Sequence, residues 1–163
     1  MYKPNTGGTK MNNRIKVYTD GACQNNQLAE NKGGYGAVIF KPGEEPLKLN
    51  GGFRNTTNNR MELYGVLETL KHFDTPTQIT IYSDSQYVVG SINNGHLEKW
   101  ISSNDFSKKN LDLWRQIYEY LKIHDTRFIW VKGHNENSFN EMADLYACHA
   151  AECLNLQEDK INE

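Results

Sequence analysis

Apolar and polar residues alternate along the first part of the chain, as they do in half-buried strands. The first predicted strand covers residues 14–18, with Ile15 and Val17 on one face. Two more apolar runs follow at residues 33–40 and 47–53, separated by a Lys-Pro-Gly-Glu turn signal. Three successive strands with short turns predict an antiparallel meander.

Beyond the meander, apolar residues recur every three to four positions, the spacing of amphipathic helices. The predicted elements are, in order, a helix at 58–73, a strand at 79–83, helices at 86–92 and 111–121, a strand at 127–131 and a last helix after residue 137. The last helix carries five larger side chains on one face: Met142, Leu145, Tyr146, His149 and Cys153. Residues 96–109 give no firm pattern.

The element order indicates the fold class. Strands joined through helices pair in parallel, so the first, fourth and fifth strands should be neighbours. The prediction is an α/β fold with a five-stranded mixed sheet, an antiparallel β1-β2-β3 meander plus parallel strands, and helices on both faces. We expect one domain over 14–153, a flexible N-terminal segment at 1–13, and a polar tail at 154–163 that frays.

Composition restricts the class of partner. The chain has 163 residues, 23% of them charged, and a net charge of −2. A nucleic acid would therefore need a local basic patch. Residues 1–13 lack the apolar core of a signal peptide, and no apolar run reaches the length needed to span a membrane, so we expect no membrane partner. Three cysteines without metal-ligand spacing favour a reduced, cytoplasmic setting.

Four acidic residues are candidates for chemistry. Asp20 ends the first strand and Asp84 the fourth, and neighbouring parallel strands bring their carboxyl ends to the edge where α/β sheets hold ligands. Glu62 and Asp144 lie in the first turns of two helices. Convergent carboxylates would repel one another unless hard divalent cations bound them. Two such ions, about 3.5–4 Å apart, can support phosphodiester hydrolysis.

Each acid taken alone also has a structural interpretation. Glu62 follows Asn59 at the spacing of a capping box. Asp84 could cap the next helix, and Asp144 could complement a helix dipole. The chemical interpretation therefore depends on the neighbouring residues.

Those neighbours resemble the motifs of the type 1 ribonuclease H family. The four strings are YTDGAC at 18–23, TTNNRMEL at 56–63, YSDSQYV at 82–88 and WVKGH at 130–134. Asp144 lies ten residues after His134, where the family places its last carboxylate. The resemblance covers about residues 14–153 and implies the ribonuclease H-like fold.

The resemblance also implies a reaction. Asp20, Glu62, Asp84 and Asp144 would hold two Mg²⁺ ions, which Mn²⁺ could replace. The enzyme would hydrolyse the RNA strand of an RNA–DNA hybrid and leave 5′-phosphate and 3′-hydroxyl ends. His134 would assist proton transfer or product release, since histidine changes protonation near neutral pH.

Six further positions match substrate contacts of that family: Asn26, Thr57, Asn58, Asn59, Gln86 and Asn110. Amides both donate and accept hydrogen bonds, which suits the ribose 2′-hydroxyl. Thr57 and Asn110 match a pocket for a DNA-strand phosphate. For Asn58 and Asn59, helix capping is the structural alternative.

Two departures from the family pattern affect the expected binding. The pocket arginine is often two residues before the threonine, where this chain has Asn55; Arg54 should point to the other face of the strand. The handle at 95–109 is short and carries few cations. We therefore predict weaker hybrid affinity and a shallower salt dependence than in a long-handled relative.

Two other functions stay open from the sequence. One is a non-catalytic module that binds the hybrid, and the other is a related DNA nuclease of the same superfamily. In each case we expect a monomer.

Overall fold

The computed structural model describes residues 13–24, 30–103, 107–133, 138–153 and 155–161 and forms one mixed sheet with five helices. The strands are β1 (Ile15–Gln24), β2 (Lys32–Phe40), β3 (Leu47–Arg54), β4 (Gln78–Ser83), β5 (Asp125–Trp130) and β6 (Gln157–Glu158). The helices are α1 (Asn58–His72), α2 (Gln86–Asn93), α3 (His96–Ser103), α4 (Leu111–Leu121) and α5 (Ser138–Ala151).

The sheet has the order β5-β4-β1-β2-β3-β6. The meander β1-β2-β3 is antiparallel, and β4 lies parallel between β1 and β5. The predicted α/β fold is therefore confirmed, but the predicted count of five strands is wrong. The sixth strand, β6, pairs with β3 through only two polar residues, which are too few to produce a hydrophobic period.

One face of the sheet carries a core of branched aliphatic side chains. Val17 lies between Ile39 of β2 and Ile81 of β4 in the strand registers, and all three are fully buried. Leu63 and Leu70 of α1 belong to the same buried cluster. Since α4 packs against α1, this face has two layers of helix over it.

The other face of the sheet is covered by α5, whose backbone lies very close to the glycines of β2. A Cβ atom added to Gly34 or Gly36 would lie only 2.2–2.3 Å from a backbone carbonyl oxygen of α5. The helix meets these glycines with buried alanines, including Ala143 and Ala147. The predicted face of larger side chains is therefore not the packing face, and Leu145 is 51% exposed.

The handle region contains a short helix that the sequence did not predict. In α3, Leu97 is buried and Trp100 packs edge-on against Trp114 of α4, with 6.0 Å between ring centroids. Trp100 is thus partly buried and packs against the hydrophobic core. The other aromatic residue of the handle, Phe106, lies outside the described residues.

Residues 155–161 of the C-terminal segment contact the rest of the protein. Asp159 is only 4% exposed and forms an ion pair with Arg60 of α1, with 2.7 Å between Oδ2 and Nε. Its buried carboxylate, the pairing of β6 with β3 and the contact of Leu156 with Gly52 hold the segment on the protein. Within the described residues, no helix has the length and hydropathy needed to cross a membrane.

Candidate active site

Two strands bring the first pair of acids together. β1 and β4 pair in parallel up to Thr19 and Ser83, and Asp20 and Asp84 are the next residues of the two segments. Asp20 is buried, and its Oδ1 accepts a hydrogen bond from the Gly21 N–H at 2.9 Å. The parallel pairing predicted from the sequence therefore places both acids at the same sheet edge.

Glu62 reaches this edge because α1 begins directly against β1. A Cβ atom on Gly21 would lie 2.5 Å from the Glu62 backbone nitrogen, so only glycine permits this approach. Glu62 is 9% exposed, and its Oε2 has no hydrogen-bond partner among the described residues. A buried carboxylate oxygen without a partner carries a large desolvation cost.

The three acids form a compact oxygen cluster. One ligand oxygen from each of Asp20, Glu62 and Asp84 lies within 4.8 Å of the other two. Burial, followed by the charge of Asp84, raises the pKa of Asp20 to about 8. Burial and then the charge of Asp20 raise the pKa of Glu62 well above its ordinary value. The protein alone therefore favours a partly protonated cluster.

Asp144 completes the acidic edge from the opposite face of the sheet. It lies in the second turn of α5, and its carboxyl interacts directly with that of Asp20 and raises the pKa of Asp20. It is not one of the three acids whose oxygens lie within 4.8 Å of one another. On the next turn of α5, the Cys148 thiol lies 3.9 Å from Asp144 Oδ1.

The simpler structural roles of two acids are absent. The N-cap of α1 is Thr57, whose side chain accepts from the Arg60 N–H, so Glu62 does not complete a capping box. The N-cap of α2 is Ser85, whose side chain accepts from the Val88 N–H, so Asp84 is not the cap.

The donor set fits a hard divalent cation. All the contributing atoms are carboxylate oxygens, which are the ligands that Mg²⁺ and similar ions prefer. A bound cation would also remove the repulsion that raises these pKa values, and it would give the buried Glu62 Oε2 a partner.

The segment after β5 lies directly on Asp84. A Cβ atom on Gly133 would lie 2.5 Å from Asp84 Oδ2, and the Trp130 indole N–H donates to the Asp84 carbonyl oxygen at 3.1 Å. His134 follows Gly133 in the sequence but lies outside the described residues. Its role therefore stays a prediction.

The predicted substrate residues fall into two groups. Asn58, Asn59 and Gln86 are exposed at the first turns of α1 and α2, next to Glu62 and Asp84 in the chain. Since Thr57 caps α1, Asn58 and Asn59 do not serve as its N-cap. The sixth predicted contact, Asn26, lies outside the described residues.

Thr57 and Asn110 share a cavity of about 530 Å³ at the α1–α4 junction. The other lining residues are Arg60, Ser107, Lys108, Lys109, Leu111, Asp112, Arg115 and Ile161. Arg54 is not among them: it is exposed, with its Nε 3.9 Å from Glu158. Asn110 has a left-handed backbone with φ of 63°.

Arg60 is a buried residue that the sequence reasoning missed. It is 1% exposed and uses its guanidinium for five hydrogen bonds, to Asn110, Asp112 and Asp159. A signal was available, because Arg60 shares the helical spacing of the buried Leu63 and Leu67. An arginine on an apolar face predicts a buried ion pair.

Comparison with known proteins places these features in a family. The family model described as RNase H matches residues 12–152. Ribonuclease H of Chlorobium phaeobacteroides (strain BS1) is 41% identical over 145 residues, which cover 86% of this chain and 97% of the relative. Ribonuclease H of Clostridium botulinum (strain Hall) is 40% identical over 148 residues, covering 88% and 99%.

Solved structures share the fold. LC9-RNase H1, a type 1 RNase H with the type 2 active-site motif, superposes with a TM-score of 0.71 and 28% identity, covering 88% of this chain and 74% of that one. A foamy viral protease-reverse transcriptase in complex with RNA/DNA hybrid gives a TM-score of 0.69 at 17% identity, covering 93% and 22%. The second likeness concerns the fold alone.

Proposed function

This chain belongs to the RNase H family, and from that premise we propose that it cuts the RNA strand of an RNA–DNA hybrid with two bound divalent cations. As a family member it is a ribonuclease, and therefore a hydrolase. The metal-dependent mechanism is supported by one observation: a carboxylate oxygen from each of Asp20, Glu62 and Asp84 lies within 4.8 Å of the other two. The proposed products have 5′-phosphate and 3′-hydroxyl ends.

Asp20, Glu62, Asp84 and Asp144 would hold the cations, which we propose to be Mg²⁺, with Mn²⁺ able to replace it. When bound, such ions supply an activated water and stabilise the charge on the leaving oxygen. The carboxylates must lose their protons before they can bind a cation. Because the pKa of Asp20 is raised to about 8, occupancy at limiting metal should increase with pH up to about that value.

His134 is proposed to carry a proton at the imidazole ring or to assist release of the product. The support is the position of the residue before it, since Gly133 is packed against Asp84 Oδ2. That contact places Gly133 at the acidic edge.

The hybrid is the proposed partner because the exposed amides sit beside the acids. Asn58 and Asn59 precede the buried Glu62 by one turn of α1, and Gln86 follows Asp84 by two residues. Their amides can donate to and accept from a ribose 2′-hydroxyl, the group that distinguishes RNA from DNA.

The cavity containing Thr57 and Asn110 is the proposed pocket for a phosphate of the DNA strand. Arg60 cannot supply its positive charge, since its guanidinium is occupied by two carboxylates. The remaining cations on the lining are Lys108, Lys109 and Arg115. We infer that these side chains attract the phosphate where other family members use an arginine before the threonine.

The test is a cleavage assay with three duplexes of identical sequence: RNA–DNA hybrid, double-stranded RNA and double-stranded DNA. With Mg²⁺, the proposal predicts cleavage of the hybrid's RNA strand alone, and EDTA should stop it. Binding without cleavage would instead indicate a non-catalytic module. Cleavage of double-stranded DNA would indicate a related DNA nuclease.

A cytoplasmic location and a monomeric state remain predictions. The three cysteines are all free thiols, which supports a reducing compartment.

A further inference from the structure

The backbone that leads into α1 is held by the side chain of an asparagine immediately before β2. Asn31 is buried; its Nδ2 donates to the Thr56 carbonyl oxygen at 2.9 Å, and its Oδ1 accepts from the Thr56 N–H at 2.7 Å. The Asn31 carbonyl oxygen also accepts from the Asn55 N–H at 3.0 Å. One residue therefore satisfies three backbone groups of two consecutive residues.

This arrangement extends the sheet where the regular pairing ends. The β2–β3 ladder closes at Lys32 and Arg54, and Asn55 then turns with φ of 55°, a left-handed conformation. A carboxamide presents the same N–H and C=O groups as a peptide unit. The Asn31 side chain thus pairs with Thr56 as one more strand residue would.

Thr56 is fixed from a second direction by the C-terminal segment. Its hydroxyl donates to Asp159 Oδ2 at 2.7 Å, and the residue is buried. The next residues are the helix cap Thr57 and the exposed Asn58 and Asn59. Among the described residues, the side chains of Asn58 and Asn59 form no hydrogen bond of their own, so their position follows from the backbone at the start of α1, into which Thr56 and Thr57 lead.

We propose that Asn31 is a positioning residue for hybrid recognition, which it performs by fixing the Thr56 backbone and through it Thr57, Asn58 and Asn59. This inference rests on the proposed function, because it assumes that these residues contact the hybrid. The effect belongs to substrate binding rather than to metal binding. The acids are held separately: Glu62 by the α1–Gly21 contact, and Asp20 and Asp84 by the parallel strand pair.

The test compares Asn31→Ala with wild type in steady-state cleavage of the hybrid. Removing the carboxamide leaves the Thr56 N–H without its partner and the Thr56 carbonyl oxygen with only the weak contact of the Cys23 thiol at 3.8 Å, so we expect KM for the hybrid to rise about tenfold. The catalytic constant and the Mg²⁺ concentration for half-maximal rate should change less than about twofold. Asn50→Ala, which removes an exposed amide from β3, is the matched control and should change neither.

A double-variant cycle then separates positioning from stability. If Asn31 acts through the loop, Asn58→Ala should raise KM less in the Asn31→Ala background than in wild type. A lower melting temperature with unchanged KM, or strictly additive effects on KM, would overturn the inference. If Asn31→Ala does not fold, Asn31→Asp takes its place, since it keeps the shape and the acceptor for the Thr56 N–H.

The proposed function and the positioning role of Asn31 can be refuted separately. If wild-type protein neither binds nor cuts the hybrid, the proposed function is wrong. If wild type cuts the hybrid and the Asn31 variants keep its KM, only the positioning role is wrong.

Discussion

Glu62 and Arg60 lie two residues apart on α1, yet their side chains enter two clusters with opposite electrostatics. Around Glu62, the buried Asp20 and the half-buried Asp84 repel one another, and the Glu62 Oε2 has no hydrogen-bond partner among the described residues. Around Arg60, two carboxylates share one guanidinium, and its hydrogen bonds are all made.

The pKa values of Asp20 and Asp112 differ in the same way. Burial raises the pKa of Asp20 to about 8, and the charge of Asp84 adds to the effect. Burial would also raise the pKa of Asp112, but the hydrogen bonds and charge of Arg60 outweigh it and hold that pKa below its ordinary value. The acid cluster thus lowers the stability of the metal-free protein, and the Arg60 cluster maintains the fold.

The largest effect is expected for Asp84→Asn in the acid cluster. Loss of one charged ligand should reduce hybrid cleavage by more than about 10⁴-fold, or roughly 5.5 kcal/mol. Since the substitution also removes repulsion, the fold should remain intact. Cleavage rate and circular dichroism, measured on the same sample, check both statements, and retained turnover would refute the metal assignment.

In the cluster of Arg60, Asp112 and Asp159, a substitution should reduce the stability of the fold. Arg60→Ala leaves Asp112 and Asp159 without their cation, so the free energy of unfolding should fall by about 3–5 kcal/mol. Urea denaturation measures this quantity. The matched control is Arg54→Ala, which removes an exposed arginine 3.9 Å from Glu158 and should cost less than about 0.5 kcal/mol. Equal losses of unfolding free energy in Arg60→Ala and Arg54→Ala would contradict the proposed role of the Arg60 cluster in stability.

The pH dependence distinguishes the acid cluster further. Asp20 binds its proton more tightly in the folded protein, so the metal-free protein should lose stability as pH rises from about 4 to about 8. Asp20→Asn should therefore stabilise the protein in EDTA at pH 8, by at least about 1 kcal/mol, since one pKa unit is about 1.4 kcal/mol. This gain in unfolding free energy should become smaller as the pH is lowered towards 4.

Urea denaturation in EDTA at several pH values tests this prediction. Glu119→Gln, which alters an exposed acid paired with Lys122, should change stability by less than about 0.5 kcal/mol. A destabilised Asp20→Asn protein at pH 8 would show that the acids are not under electrostatic strain.

The smallest effect concerns the cavity beside the Arg60 cluster. Affinity for the hybrid falls as salt rises, and each phosphate contact contributes about 0.9 to the steepness of log affinity against log salt. Replacing Lys108 and Lys109 by alanine should therefore make this dependence less steep by about 1–2. Binding is measured in the Asp84→Asn background to prevent cleavage. Lys122→Ala, at the far end of α4, should leave the slope unchanged.

An unchanged slope in the double variant would mean that the cavity does not hold a phosphate. The same titration on a long-handled relative tests the role of the short handle. A slope equal to that of this chain would contradict the expected difference.

The parts of the site that follow from local patterns could be predicted from the sequence. Strand alternation and the crossovers placed Asp20 and Asp84 at one edge, because parallel pairing of neighbouring strands leaves little freedom. The helical spacing around Glu62 likewise gave α1 to within one residue at its end.

The parts that depend on distant residues could not be predicted. The packing face of α5 follows from Gly34 and Gly36 on another element, which allow alanines to approach and leave Leu145 outside. Asp159 lies in a polar tail without periodicity, and its burial is explained by partners elsewhere in the chain: Arg60, Thr56 and Tyr64. Neither feature has a local signal in its own segment.

The most direct test of the central claim counts the metal ions that the acids bind. Calorimetric titration with Mn²⁺, in the presence of a hybrid whose scissile 2′-hydroxyl is replaced by hydrogen, should give two ions per wild-type chain and fewer for Asp84→Asn. Wild-type protein that binds no divalent cation under these conditions would contradict the account.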